Sequence, residues 1–144
     1  MKFTAYGMPA PQGSKSFKGL RDGHAILAES SKKVKPWRQR VKTAAAFCKG
    51  EGAPLDGALI CRMIFTMPKP KSAPKRRKVY PIGRPDLSKL VRSTEDAMTD
   101  AGLIADDARI VEYSRVAKVY PGEDDEALNM PGVVVTVQRL ADVG

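Results

Sequence analysis

Asp86 follows a proline in GRPDLSKLVRSTEDAMTDAGLIADDARIVEYSR (residues 83–115), and an Asp106–Asp107 pair comes twenty residues later. Carboxylates are hard oxygen donors that suit Mg²⁺. Their setting is basic. Between Lys69 and Arg92 stand nine cationic residues, with Asp86 the sole acid among them. A carboxylate there works against simple phosphate binding. It makes sense where a divalent cation lies between carboxylate and phosphate, where the ion lowers the pKa of bound water and neutralises charge on a leaving oxygen. Arg92 is placed to hold a scissile phosphate or to stabilise its pentacovalent transition state. Each residue also has a plainer reading: Asp86 as a helix N-cap, Asp106–Asp107 as an exposed turn, Arg92 as the i,i+4 ion-pair partner of Asp96.

The elements around these residues decide whether they can meet. Leu87–Ala101 reads as a helix. Leu87, Leu90, Val91, Met98 and Ala101 form its apolar stripe, Asp86 stands at its N-cap and Gly102 at C′. About 15 residues at 1.5 Å each give a helix of about 22 Å. Asp86 and Asp107 therefore meet in one chain only if the stretch after Gly102 doubles back almost fully extended. A symmetric dimer is the other way to unite the two ends.

Elsewhere, Lys2–Gly7 alternates weakly as a strand, MPAPQGSKSFKG reads as loop, and His24–Ala28 as a short strand. Pro36 suits the first turn of a helix over Trp37–Lys49 that closes near Gly50. Gly57–Met67 is a strand. Residues 68–85 hold five prolines and read as a long basic loop. Ile104–Arg109 is a turn, Arg109–Val119 a strand, 121–130 an acidic loop and Gly132–Arg139 the last strand. The order predicts an α+β fold, a single small domain over residues 1–144 with a mixed sheet and two main helices.

A chain of 144 residues with 42% hydrophobic content supports one core. The formal charge is +9, and eleven further basic residues lie in 1–50 against Asp22 and Glu29. That balance points to a polyanion, nucleic acid before membrane surface. Lys15, Lys69, Lys71, Lys75, Arg76, Arg77, Lys78, Arg84, Lys89 and Lys118 are the candidate DNA-backbone contacts. No apolar run approaches the ~20 residues of a membrane span, and the N-terminus lacks the apolar core of a signal peptide. Two separated cysteines and a lone His24 give neither a zinc pattern nor a disulfide framework. The expected setting is a reducing cytoplasm.

Residues 84–113, with PDL, DAM, AG and DDA at their spacings, resemble the core of the RusA-type Holliday-junction resolvases. The resemblance extends more loosely to a Pro/Gly/Lys-rich N-terminal loop, a strand ending Met-Pro, and RVAKVYP after the acidic pair. It implies a small α+β homodimer that cuts four-way DNA junctions symmetrically with Mg²⁺ or Mn²⁺, in recombination, repair or phage DNA processing. By position, Asp86 takes the family's first acidic ligand and Asp107 its last, with Asp106 beside it. Arg92 falls where the family carries a catalytic lysine; it keeps the charge but cannot donate a proton near neutral pH. Ser88 stands where the family has its second aspartate. Glu112, on the following strand, is the candidate to replace the missing charge. The competing expectation, from another functional class, is a junction-binding module that has lost catalysis, with Ser88 as the scar.

Overall fold

Leu59, Cys61, Met63 and Phe65 alternate along one strand and are all fully buried. That period of two defines the face on which the domain is built. The computed structural model describes residues 1–12, 15–21, 24–29 and 32–143, the segments 15–21 and 24–29 by backbone alone. In chain order the elements are β1 (Lys2–Tyr6), β2 (Lys15–Arg21), β3 (His24–Glu29), α1 (Val34–Lys49), β4 (Leu59–Thr66), α2 (Leu87–Asp100), β5 (Ile110–Val119) and β6 (Gly132–Arg139). Four strands form a mixed sheet in the order β1-β6-β4-β5, with β4 and β5 parallel and the other pairs antiparallel. The α+β class and the two main helices agree with expectation.

Register stacks the buried side chains. Met63 lies opposite Val135 and Phe65 opposite Val133, while Phe3 and Ala5 pair with the same two valines from β1. Trp37, Val41 and Ala45 of α1 and Leu90, Ala97 and Met98 of α2 join this core. Two polar residues of α2 are buried as well. Thr94 donates to the Leu90 carbonyl and accepts from the Trp37 indole at 3.4 Å, and Ser93 donates to the Ala10 carbonyl at 2.7 Å. The second bond ties the N-terminal loop across the start of α2, and Gln12 N–H adds another to the Lys89 carbonyl.

Three details differ from expectation. The stretch expected as loop through Gly19 contains β2, which pairs antiparallel with β3 through Lys15–Glu29 and Phe17–Leu27. Its hydrogen bonds come from a partner strand, a source that local composition does not advertise. α1 starts at Val34, a turn before Trp37, because Val34 is itself buried. Asp86 holds the N-cap position of α2 with extended backbone, but its carboxylate caps nothing.

Residues 68–85 form no regular element, as five prolines require. Their basic side chains lie against the acidic loop. Glu123 accepts from Val79 N–H and pairs with Lys69 at 3.0 Å. Arg62 and Arg115 are register neighbours on β4 and β5. They share Glu126, and Arg115 also grips Asp124 at 2.7 Å. The acidic loop, which had no role in the sequence, neutralises two adjacent arginines and holds the base of the cationic loop. Among the described residues no helix is long and apolar enough to cross a membrane.

Candidate active site at the two ends of α2

The chain enters α2 through a cis Arg84–Pro85 bond. Lys118 of β5 reaches this turn and donates to the Gly83 carbonyl at 2.8 Å and the Pro85 carbonyl at 2.9 Å. Asp86 follows with its side chain 58% exposed and its carboxylate 3.7 Å from the Lys89 ammonium. Ser88 is exposed one residue into the helix, and Arg92 is exposed a turn beyond it. The Asp86 carboxylate is therefore presented to solvent amid cations, with its backbone fixed from behind.

The other end of α2 is built by its stop signal. Gly102, at φ +76°, takes the left-handed conformation that glycine adopts without strain. Its N–H bonds the Thr99 carbonyl, and Leu103 N–H bonds Met98, the paired pattern of a Schellman motif. Leu103 and Met98, fully buried, complete the motif's apolar contact. Ile104 then bridges to Leu55, and a short 3₁₀ turn (Asp107–Arg109) follows. Asp106 caps that turn by accepting from Ala108 N–H at 3.1 Å. Asp107 faces back toward the helix, where its carboxylate accepts from the Thr99 hydroxyl.

Asp107 does not stand alone there. Burial pushes the Asp96 carboxyl above its ordinary range, and hydrogen bonding with the Asp107 carboxylate pushes it further. Burial also raises Glu95, whose carboxylate accepts from Tyr113 at 2.6 Å while Asp107 and Asp96 repel it. The Tyr113 hydroxyl is raised by burial and by that bond. Beneath them, burial and the Glu95 charge push the Cys61 thiol up to about 12, so it is inert.

The predicted residues thus fall into two groups. Asp86, Ser88, Lys89 and Arg84 gather at the N-terminal end of α2. Asp106 and Asp107 sit at the other. The 14-residue helix keeps the groups about 20 Å apart at 1.5 Å per residue. In one chain Asp86 and Asp107 do not meet, and among the described residues no three acidic, imidazole or thiol groups are arranged to hold a metal ion. Arg92 makes no ion pair among the described residues; its charge acts on Asp96 from a distance. Glu112 is exposed and adjacent to Tyr113 on β5, so it points to the opposite face of the strand from the Asp107 cluster.

Of the expected DNA contacts, Lys71, Lys75, Arg76, Arg77 and Arg84 are exposed or half-exposed on the loop. Lys69 is committed to Glu123, Lys78 lies 5.1 Å over the Tyr80 ring, and Lys118 is committed to backbone carbonyls. The side chain of Lys15 lies outside the described residues. Sequence reasoning missed Glu95, Thr99 and Tyr113 and took Asp96 only as a partner for Arg92. Helical spacing carried a signal, since residues 95, 96 and 99 share the face toward which the Gly102 turn folds Asp107.

A basic α+β domain with acidic groups at both ends of one helix, beneath a cationic proline-rich loop, has the make-up of a nucleic-acid-processing protein. The family model Endodeoxyribonuclease RusA matches residues 7–138, and the chain belongs to that family. No curated protein sequence matches it. Membership makes the chain a junction-resolving endodeoxyribonuclease by class.

Proposed function

We propose that this chain resolves four-way DNA junctions by paired, Mg²⁺-dependent nicks as a homodimer, in which Asp86 of one chain and Asp107 of the other complete each active site. The separation of Asp86 and Asp107 along α2 carries this reading. The resemblance implies one shared role for both residues, whereas a single chain holds them at opposite ends of a helix. A twofold axis that lays the start of one α2 beside the end of its mate unites them.

The donor chemistry fits a divalent cation. Asp107, Asp86 and the Thr99 hydroxyl are hard oxygens. Burial and the neighbouring Asp107 carboxylate raise the Asp96 carboxyl, an unfavourable crowding that a cation relieves. Asp106 can add one oxygen while capping its turn, and Ser88 can add a neutral one. When bound, Mg²⁺ (or Mn²⁺) would polarise the scissile phosphate and acidify a water. The chain itself does the rest. Arg92 clamps a phosphate oxygen between the two ends of α2. Lys75, Arg76, Arg77 and Arg84 carry the flanking backbone. Lys118 fixes the turn that presents Asp86. Junction preference then comes from shape and from two sites at fixed spacing rather than from base reading. The expected setting is a cytoplasm, that of a bacterium or of a phage's host.

The test is a nicking assay on a labelled four-way junction, with linear duplex as control and Mg²⁺, Mn²⁺ or EDTA in parallel. Symmetrical nicks that depend on metal support the reading. Salt-sensitive binding with no cutting in either metal overturns it in favour of a binding module.

A further inference from the structure

Beside Asp86 lies a cavity of about 440 Å³ that the proposed reaction does not use. Its size falls in the range of small-molecule sites, so it admits a single nucleoside and excludes a duplex. Six of its lining residues are prolines, and Met8, Met67 and Tyr120 supply most of the remaining apolar wall. Proline has a fixed φ and no N–H, so these walls are stiff and present ring methylenes without unsatisfied donors. The N-terminal loop forming one wall is pinned to α2 by the Ser93–Ala10 and Gln12–Lys89 bonds. The opposite wall, Gly83–Pro85, is pinned by the Lys118 ammonium. The cavity is preformed.

Its charge is one-sided. Lys33, Arg84 and Lys118 contribute to the lining, and no carboxylate does so among the described residues. Apolar walls with a cationic rim fit a flat ring carrying phosphates on either side. The position agrees: Pro85 is a wall residue and Asp86 is the next, about 3.8 Å on at Cα.

We propose that this cavity receives one unstacked nucleobase from the branch point of the DNA substrate, which seats the adjacent phosphate at Asp86. The inference rests on the proposed junction-cleaving function. A branch point is where it costs least, because base pairs there lack continuous stacking and a base leaves a disturbed stack more easily than an intact one. Stacking on apolar walls is tolerant of base identity. The pocket therefore adds registration without adding strong sequence preference.

The experiment uses the full chain in EDTA with a four-way junction carrying 2-aminopurine at each position flanking the crossover in turn. Protein is added to saturation, measured separately by gel shift against linear duplex. An extruded 2-aminopurine brightens, so wild type should raise emission several-fold at one position. A Cβ at Gly83 meets no atom within 4 Å, so Gly83→Phe is tolerated locally, and its ring is expected to narrow the cavity that Gly83 lines. At saturation, Gly83→Phe should lose that rise. An equal rise in Gly83→Phe, or junction-selective binding by wild type with no emission change, overturns the pocket while leaving the junction reading intact. Binding without junction preference overturns the reading beneath it, and the pocket with it.

Discussion

The Lys118 ammonium holds the carbonyl of Pro85, the residue before Asp86, at 2.9 Å, and reaches Gly83 at 2.8 Å from the same nitrogen. Lys118 is thus a positioning residue that joins β5 to the turn carrying Asp86. Hydrogen bonds to charged groups contribute about 1.5–3 kcal/mol. Lys118→Met should cost about 2 kcal/mol of stability on that scale, read by urea denaturation. A misplacement of about 1 Å can lower a rate about a hundredfold, so junction nicking should fall by one to two orders of magnitude. Lys118→Arg should recover part of the rate. A loss confined to DNA affinity, with turnover at saturation unchanged, would return Lys118 to the role of a simple backbone contact.

Asp86→Asn and Asp107→Asn should each abolish nicking and keep or tighten junction binding, since each removes negative charge near phosphate. Mixing the two inactive variants separates a shared site from a site within one chain. If each site takes Asp86 from one chain and Asp107 from the other, a mixed dimer contains one site with both carboxylates intact. Nicking of one strand per junction should return after subunit exchange, without paired cutting. Sites built within single chains would stay dead in every mixture.

The sequence made α2 legible because its apolar stripe, its Asp86 start and its Gly102 stop all agree, and the helix runs Leu87–Asp100. The same agreement placed β4, β5 and β6. β2 was not legible, since it is defined by its pairing with β3, which local composition does not advertise. The site was half legible. Asp86 and Asp107 stand out as candidates in the sequence, but their separation depends on where the Gly102 turn sends the chain. Glu95 and Tyr113 meet only because β5 packs beside α2, a tertiary contact with no local signature. The acidic loop was opaque for the same reason: Arg62 and Arg115 become neighbours through parallel pairing of strands distant in sequence.

That pairing also divides the basic residues into spent and available charge. Lys69 is bound to Glu123, whereas Lys75, Arg76 and Arg77 are exposed and make no ion pair among the described residues. Each phosphate contact contributes up to about 0.9 to the slope of log affinity against log salt. Lys75→Ala, Arg76→Ala and Arg77→Ala should each flatten that slope by up to about 0.9, on junction and duplex alike. Lys69→Ala should change it less, because Glu123 already neutralises the ammonium. Fluorescence anisotropy from low to moderate salt reads the difference.

Acid should loosen the same region. The Arg115 guanidinium and the Glu126 N–H hold the Asp124 carboxyl well below its ordinary 3.8. Arg62 and Arg115 lower Glu126 from 4.5, and Lys69 with Val79 N–H lowers Glu123 from the same value. Carboxyls depressed in the folded state stabilise it fully above their ordinary values and lose that contribution as pH falls through the folded ones. The contribution of these three carboxyls to urea midpoints should be level from pH 7 to about 5 and drop below about pH 4. In Glu126→Gln the midpoint at pH 7 should be lower and the acid drop shallower. An unchanged acid drop in that variant would mean that the loss arises elsewhere.

Ser88 lies exposed in the first turn of α2, two residues beyond Asp86. Two effects follow from Ser88→Asp, and they are separable. A carboxylate near a helix N-terminus interacts favourably with the helix dipole by about 0.3–1 kcal/mol, so thermal stability should rise slightly without any metal. If the position is a lapsed ligand site, Mn²⁺ affinity measured by calorimetry should rise as well, and nicking should persist at lower metal concentration. A gain in metal-free stability with unchanged Mn²⁺ affinity would mark Ser88 as a helix-start residue only.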